Sequence, residues 1–306
     1  MSKREKPETW TENRRSLHKE TEKEEKKVLA RSRKKIRAKC SGLKLALLGL
    51  LLTAADKEGR IEYRRTQERA AADVIANANL QAREYNRTHP AAPIQPLPPT
   101  ASRADVADLL AVLALRGMAQ DAGDIIAPHI GETAKRAYTQ TLRFTSGSFD
   151  AMQPYLTKTT EDWARQQSLD VYGILEQAAD RNGEKMKQIL KQGYARGTSY
   201  EHLVEESVAK IQGLEEAGAY RCIYTEGTRV MAEASAQAVI DKGFKRYRLS
   251  TVGDSKVCEI CKGLEEKVFE FKDREPGVNF PPLHPMCRCT FYVVTDTADE
   301  ADDRRE

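Results

Sequence analysis

The sequence has no hydrophobic run long enough to cross a membrane. Its longest apolar stretch, residues 43–55 (LKLALLGLLLTAA), has 13 residues, whereas a membrane-spanning helix needs about 20. Lys44 interrupts the stretch and basic residues precede it, so we expect a helix that is buried or faces a partner protein. Residues 1–40 also lack the apolar core of a secretory signal peptide. We therefore expect neither membrane association nor secretion.

Cysteines are too few for a secreted disulfide framework. The chain has six in 306 residues, and in a reducing compartment clustered cysteines are more often metal ligands than bridges. Cys40 and Cys222 stand alone in helical patterns, and we predict that they are packing residues. The other four lie within residues 258–289.

Motifs of several enzyme classes are missing as well. The sequence has no H-E-x-x-H zinc-protease motif, no glycine-rich phosphate loop and no G-x-S-x-G nucleophile elbow. No H-x-E element of a zinc deaminase accompanies the cysteines. We therefore predict no catalytic residues and expect that the protein is not an enzyme.

Charge is unevenly distributed along the chain. The net charge is only +4, but residues 1–40 carry +8, which leaves −4 for the remainder. Residues 296–306 (DTADEADDRRE) form a mostly acidic tail. A basic N-terminal arm can contact nucleic acid or an acidic protein surface, although a solvated charged helix explains the same pattern.

Helix-favouring patterns occupy most of the first 240 residues. Residues 1–87 are predicted to be a charged helical region with a break at Gly59. Residues 88–102 contain five prolines between Pro90 and Pro99, and we predict an extended proline-rich linker. Residues 103–213 are predicted to be a helical domain.

Within this domain we predict helices at 103–127 and 159–181. Residues 130–155 have a weaker pattern, with a loop at 145–148. A helix–glycine–helix joint follows at 186–212, where Gly193 and Gly197 loosen and end one helix. Thr198 and Glu201 form a capping box for the next helix, and another helix is predicted at 214–241, closed by Gly243.

The hydrophobic period changes after Gly243. Residues 245–252, 267–271 and 289–295 alternate in the manner of short strands. We predict a mainly α protein whose C-terminal module, residues 214–295, is a small α+β unit of about three antiparallel strands around a cysteine/histidine cluster. Its core is predicted to contain Phe269, Phe271, Phe291 and Tyr292.

The cluster has the spacing of a metal site. Cys258 and Cys261 form a C-x2-C pair, and His284 and Cys287 repeat that spacing about 25 residues later. These four residues could bind a structural zinc ion, since four protein ligands leave no coordination position for water. Cys289 would then begin the last strand. An all-cysteine set with Cys289 in place of His284 stays open, as does a core of buried thiols without metal.

A metal would meet a physical need of this module. A three-stranded sheet of about fifty residues buries too little apolar surface to be stable alone. A metal ion, or docking on the preceding helix, would supply the missing stability.

Three stretches near the C-terminus carry a combined motif: YTEGTRVMAEASA, RLSTVGDSKVCEIC and PPLHPMCRCTFYVV. With them, residues 186–295 resemble the phage head morphogenesis family, the Mu F-like minor head proteins. Their motif residues are Thr225, Glu226, Asp254, Cys258, Cys261, Pro282, His284, Pro285, Cys287, Arg288 and Cys289. The sequence departs from the family at Met286, where an asparagine or similar residue is common, and at Tyr224.

The resemblance implies a minor capsid protein of a tailed phage or prophage. Such a protein associates with the portal inside the procapsid, is found in the virion near the portal, and occupies the host cytoplasm during assembly. Its partners would be the portal and other capsid proteins, and packaged DNA could contact the basic N-terminal arm. No small-molecule substrate is expected.

Two other functions remain open from the residues. One is a metal-dependent hydrolase or nuclease that uses Asp254, Glu226 and His284. The other is a DNA-binding protein that combines the N-terminal arm with a zinc knuckle. In the structural interpretation, Glu226 pairs with Arg229 or Arg248, and Asp254 caps the turn before Cys258. Arg288 then pairs with Asp254 or Glu226.

Overall fold

The computed structural model describes residues 10–146, 158–251, 253–265 and 267–294. Within these residues the chain has seven α-helices and one three-stranded antiparallel sheet near its C-terminus. The predicted fold class is therefore confirmed. The acidic residues 296–306 lie outside the described residues. Among the described helices, none combines the length and the apolar character that a membrane span requires.

The helices and strands have the following bounds. The helices are α1 (Trp10–Leu52), α2 (Tyr63–Gln67), α3 (Ala72–Thr88), α4 (Arg103–Ser146), α5 (Lys158–Arg196), α6 (Tyr200–Ile240) and α7 (Glu259–Leu264). The strands are β1 (Arg246–Ser250), β2 (Val268–Glu270) and β3 (Thr290–Val294).

The predicted break at Gly59 is wider than one residue. The chain leaves α1 after Leu52 and returns to a short helix only at Tyr63. Asp56 shapes the intervening turn, since its Oδ1 accepts hydrogen bonds from the backbone N–H groups of Glu58 and Arg60 at 3.0 and 2.7 Å. Gly59 has a φ of +78°, a conformation that costs glycine little.

The apolar stretch at 43–55 is a helix only as far as Leu52. Leu43, Leu47 and Leu51 are buried on one side of it, whereas Leu45 is 73% exposed. The predicted buried helix is thus present, with part of its apolar surface open.

The helix α4 is longer than predicted. It continues without a break through Pro128 to Ser146, where a helix ending at 127 and a weaker region were expected. Ile126 and Ile130 are fully buried on either side of the proline, and their packing outweighs the hydrogen bond that proline removes. Residues 147 and 148 of the predicted loop lie outside the described residues.

The joint between α5 and α6 also differs from its prediction. Gly197, with φ +61°, follows the last residue of α5 as expected, but Gly193 lies within that helix. The helix α6 begins at Tyr200, so Ser199 rather than Thr198 precedes it and the predicted capping box is wrong. The two helices predicted around residue 213 are one helix.

Packing divides the chain into two compact units. The sheet unit contains the described parts of Met1–Leu29, Ile126–Val171 and Tyr220–Glu306. The helical unit contains Ala30–Ile125 and Tyr172–Ala219.

In the helical unit, the proline-rich residues run along α3. Asn79 exchanges two hydrogen bonds with the backbone of Leu97, at 2.7 and 2.8 Å. Asn86, two turns later on the same helix face, does the same with Ile94 at 2.7 and 2.8 Å. These paired contacts satisfy an extended backbone that has no strand beside it. The domain boundary placed at 88–102 stays a prediction.

In the sheet unit, the strand order is β2-β1-β3. Tyr247 at the centre of β1 opposes Phe269 and Val293. Its ring packs 4.8 to 5.8 Å, centroid to centroid, from four others. These rings and small residues of α6 form an aromatic core: Ala232, Ala236, Val239, Tyr247, Phe271, Phe280 and Phe291.

The predicted core is correct in part. Phe271 and Phe291 are buried in it, and Phe269 packs at its edge. Tyr292 is not a member, because alternate residues of a strand face opposite sides of the sheet. Arg248 lies over its ring instead, 6.0 Å from the centroid.

Candidate metal centre

Two short segments of the sheet unit bring the predicted ligands together. Cys258 immediately precedes α7 and Cys261 lies on that helix. His284, Cys287 and Cys289 belong to the loop that leads into β3. All five predicted candidates therefore lie in one cluster, and the cysteines pack with Leu249 and Leu283 as a second small core.

Several distances between the candidate ligand atoms are close to those around a tetrahedrally coordinated metal ion. His284 Nε2 lies 3.3 Å from Cys258 Sγ and 3.2 Å from Cys261 Sγ. Cys261 Sγ lies 4.0 Å from Cys287 Sγ. With zinc–sulfur bonds of about 2.3 Å, tetrahedral ligand atoms are separated by about 3.8 Å. These pairs are therefore close enough to share a zinc ion. Within the described residues, however, no four of the ligand atoms lie mutually within 4.8 Å, so a fourth ligand would have to move inward.

The five ligand atoms form two overlapping triads. Cys258, Cys261 and His284 make one, and Cys261, Cys287 and Cys289 make the other, with the ligand atoms of each triad within 4.8 Å of one another. Cys261 belongs to both. The choice of His284 or Cys289 as fourth ligand stays a prediction.

Hydrogen bonding orients the histidine for metal binding. Its Nδ1 lies 2.8 Å from the carbonyl oxygen of Pro285. A carbonyl only accepts, so Nδ1 carries a proton, and in the neutral imidazole the lone pair of Nε2 faces the two cysteine sulfurs. Metal-binding histidines are commonly held this way by an outer partner. The same hydrogen bond raises the pKa of His284.

The cysteine thiols of the cluster have shifted pKa values, and a bound cation would change their ionisation. Burial raises the pKa of Cys261 to about 12, whereas a hydrogen bond from the Cys289 thiol lowers the pKa of Cys287 to about 5. Several thiolates in an apolar pocket repel one another and lack water. A divalent ion would supply the positive charge that lets the ligating sulfurs ionise together.

An ion pair ties the two cysteine segments together. Arg288 donates to both carboxylate oxygens of Asp254, at 2.6 and 2.8 Å. Asp254 also accepts from the backbone N–H of Lys256 at 2.9 Å, and Arg288 is the main cause that lowers the pKa of Asp254 to about 2. Both predictions, the capped turn and the Arg288 pairing, are confirmed. This carboxylate is engaged and is a poor candidate for a catalytic base.

Glu226 is also paired. It is only 7% exposed, and Arg229 Nε donates to its carboxylate at 2.7 Å. Arg229 was one of two predicted partners, while the other, Arg248, lies over Tyr292. Arg229 lies on the same helix, α6, so the buried carboxylate is neutralised within that helix.

The sequence reasoning missed how α6 holds the loop of residues 284–289. The backbone N–H of Met286 donates to Thr225 Oγ1 at 3.2 Å, and Met286 has a φ of +63°. The N–H of Cys287 closes the turn on the carbonyl of His284 at 3.1 Å. The signal was present, since Thr225 belongs to the motif and an asparagine at 286 would suit a left-handed backbone.

The two remaining cysteines take no part in the cluster. Cys222 is buried in the sheet unit and Cys40 in the helical unit, where Cys40 Sγ lies 3.8 Å from Met118 Sδ. Burial raises the pKa of each thiol to about 12. Their prediction as packing residues is confirmed.

Comparison with known proteins gives one result. Residues 184–292 match the family model described as Phage Mu protein F like protein, and this match covers about a third of the chain. No curated protein and no solved structure matches the chain. The resemblance noted in the sequence is confirmed over these residues. Residues 184–292, from the last part of α5 into β3, are therefore similar to the Phage Mu protein F like family.

Proposed function

We propose that this protein is a minor head protein of a tailed phage or prophage. In this proposal it associates with the portal during procapsid assembly and stays in the virion, inside the capsid near the portal. The observation that carries the proposal is the Mu F-like match, which spans the whole cysteine/histidine cluster and the helix that holds it. Capsid proteins are its expected partners.

The chemistry of the cluster supports a structural role. A zinc ion bound by Cys258, Cys261, Cys287 and either His284 or Cys289 would have four protein ligands and no water. The nearest acidic motif residue, Asp254, is held by Arg288. These features favour a structural metal site over the metal-dependent hydrolase or nuclease alternative.

Zinc binding has a direct test. We expect one zinc per purified chain, and a lower melting temperature after chelation because metal binding energy is folding energy. Replacing the true fourth ligand, in His284→Ala or Cys289→Ser, should weaken zinc binding by more than the roughly 10- to 100-fold cost of losing an outer partner. Cys222→Ser is the matched control. A metal-free chain whose melting is unaffected by chelation would refute the zinc proposal.

Contact with packaged DNA would use the basic residues of α1 that are not already paired. Glu216 binds Arg33 and Arg37 at 3.4 and 2.9 Å, which reduces the charge available. Arg31, Lys34 and Lys35 are exposed and are the better candidates. If they contact phosphates, replacing all three with alanine should lower the slope of log K against log salt by about 2 to 3. Binding without salt dependence would exclude this role.

Head assembly itself is tested in the phage or prophage that encodes the chain. We expect the protein in purified procapsids, crosslinked to the portal, and we expect disruption of its gene to reduce infectious heads. Cys287→Ser should reproduce that defect, whereas Cys222→Ser should not. Normal heads from the disrupted phage, or procapsids that lack the protein, would overturn the proposal.

The domain divisions at 1–87, 88–102, 103–213, 214–295 and 296–306 remain proposals. The last boundary before the module, at 213/214, lies inside α6. Limited proteolysis of the full chain would test them, because cleavage is expected to concentrate where backbone is exposed.

A further inference from the structure

The sheet unit contains a cavity that neither the metal cluster nor the head function explains. Its volume is about 700 Å³, and it lies among α1, α6 and the ends of β1 and β3. One face of α1 and one face of α6 form most of its wall. They are His18, Thr21, Glu22, Glu25 and Leu29 from α1, and Tyr220, Ile223, Tyr224, Thr228 and Met231 from α6.

One buried polar group in this wall lacks a partner. Thr21 is 2% exposed, and its hydroxyl makes no hydrogen bond within the described part of the chain. A buried hydroxyl without a partner costs free energy. The hydroxyl oxygen is closed to solvent, but Thr21 lines the cavity, so a rotation of its side chain would bring the hydroxyl to a bound group.

A carboxylate lies one helical turn further along the same face. Glu25 makes no hydrogen bond or ion pair with any described residue, although Lys26, next to it, pairs with Glu22 at 2.8 Å. A Cβ added to Gly227 of α6 would lie 2.8 Å from Glu25 Oε1. The glycine therefore makes space for the carboxylate against α6. Burial raises the pKa of Glu25 to about 7.

Three basic residues of the wall do not pair with this carboxylate. Arg288 is held by Asp254 and Lys26 by Glu22, and no ion pair joins the exposed Lys19 to Glu25 within the described residues. The wall thus places a carboxylate without a paired cation, that of Glu25, one helical turn from a hydroxyl without a hydrogen bond, that of Thr21.

Aromatic side chains add to the attraction for a cation. Tyr220 and Tyr224 line the cavity with ring centroids 6.3 Å apart. Aromatic rings attract ammonium and guanidinium groups, and the attraction grows when water is excluded.

We propose that this cavity binds an alkylammonium or guanidinium group, whose charge is met by Glu25 and whose N–H donates to the hydroxyl of Thr21. The group could belong to a free diamine or to a lysine or arginine side chain of a partner protein. The two sources share one chemistry, and a titration separates them. The proposal stands independently of head assembly, because it rests on the cavity alone.

The test is an NMR titration of the full chain with labelled threonine methyl groups. The probes are cadaverine, a capped lysine peptide, a capped arginine peptide and inorganic phosphate. We expect the Thr21 methyl signal, assigned with Thr21→Val, to shift saturably with at least one cationic probe. A response to cadaverine alone identifies a free diamine, and a response to a peptide identifies a partner's side chain.

The variants decide whether Glu25 is responsible. Glu25→Gln keeps the shape of the side chain and should weaken binding at least about tenfold, with an unchanged circular dichroism spectrum. Gly227→Ala should also weaken it by displacing the carboxylate. Glu24→Gln, which removes a charge paired with Lys27 outside the cavity wall, should bind like the parent.

Three results would overturn the proposal. One is the lack of a saturable Thr21 shift with every cationic probe up to about 50 mM, well above the millimolar affinity of even a weak site. Another is a shift that persists unchanged in Glu25→Gln. The third is a response to phosphate instead of the cations.

Discussion

Burying Glu215 should make the helical unit less stable at high pH than at low pH. The residue lies on α6, is 5% exposed, and accepts one hydrogen bond, from Asn182 Nδ2 at 2.8 Å. Burial raises its pKa from 4.5 to about 7. No cation is paired with it among the described residues, since Arg33 and Arg37 bind the neighbouring Glu216.

The direction follows from proton binding. Between pH 4.5 and about 7 the unfolded carboxyl has lost its proton while the folded one keeps it, so stability falls as pH rises through this range. Raising the pKa from 4.5 to about 7, at about 1.4 kcal/mol per pKa unit, gives an upper value of roughly 3 to 4 kcal/mol. Below the unfolded pKa, both states are protonated and the effect disappears.

Glu215→Gln isolates this effect. Glutamine stays neutral and can still accept from Asn182, so the variant should gain about 1 to 3 kcal/mol over the parent at pH 8 and almost nothing at pH 4. Urea unfolding at both pH values measures the gain. Glu206→Gln, which changes an exposed carboxylate on the same helix, should gain nothing at either pH. An equal gain for Glu215→Gln at both pH values, or none at pH 8, would refute the reasoning.

Three further predictions follow from the backbone and from close packing. Met286→Gly should raise the free energy of unfolding by about 1 kcal/mol, because glycine adopts the left-handed backbone at +63° without strain; a loss would show that the methionine side chain matters more than its backbone. Gly193→Ala should lower the free energy of unfolding by about 1 to 3 kcal/mol, since the new Cβ would clash with the side chain of Leu203. Gly213→Ala, on α6 with open space around the new Cβ, should raise it by up to about 1 kcal/mol. Equal effects at the two glycines would contradict the packing argument. Arg288→Lys should lower the melting temperature, because lysine cannot donate to both oxygens of Asp254, and thermal unfolding that matches the parent would exclude a role for the paired geometry.

The local elements of the C-terminal module could be predicted because their signals are short in sequence. The C-x2-C spacing of Cys258 and Cys261 fits one turn of chain, and the alternation around Tyr247 is a property of the strand itself. Phe280 was missed from the core because it lies in a loop with no period to reveal it. Its burial depends on the rings that other segments place around it.

The helix boundaries were less predictable where packing competes with local preference. Pro128 and Gly213 are residues that commonly interrupt a helix, yet both lie within long helices. At Pro128, buried isoleucines on both sides hold the helix together. A single sequence contains the preference of each residue but not the neighbours that override it.

The sequence by itself determined the helical character, the three C-terminal strands and the set of possible metal ligands, because each follows from residue spacing or composition. Only the tertiary structure decided which charges are buried and what they meet. Glu215 and Glu216 are consecutive, yet their pKa values move in opposite directions. A hydrogen bond from Arg37 lowers the pKa of Glu216, whereas burial raises the pKa of Glu215. Glu25 and Gly227 come together from positions two hundred residues apart. Desolvation and ion pairing depend on distances between side chains, and folding alone sets those distances.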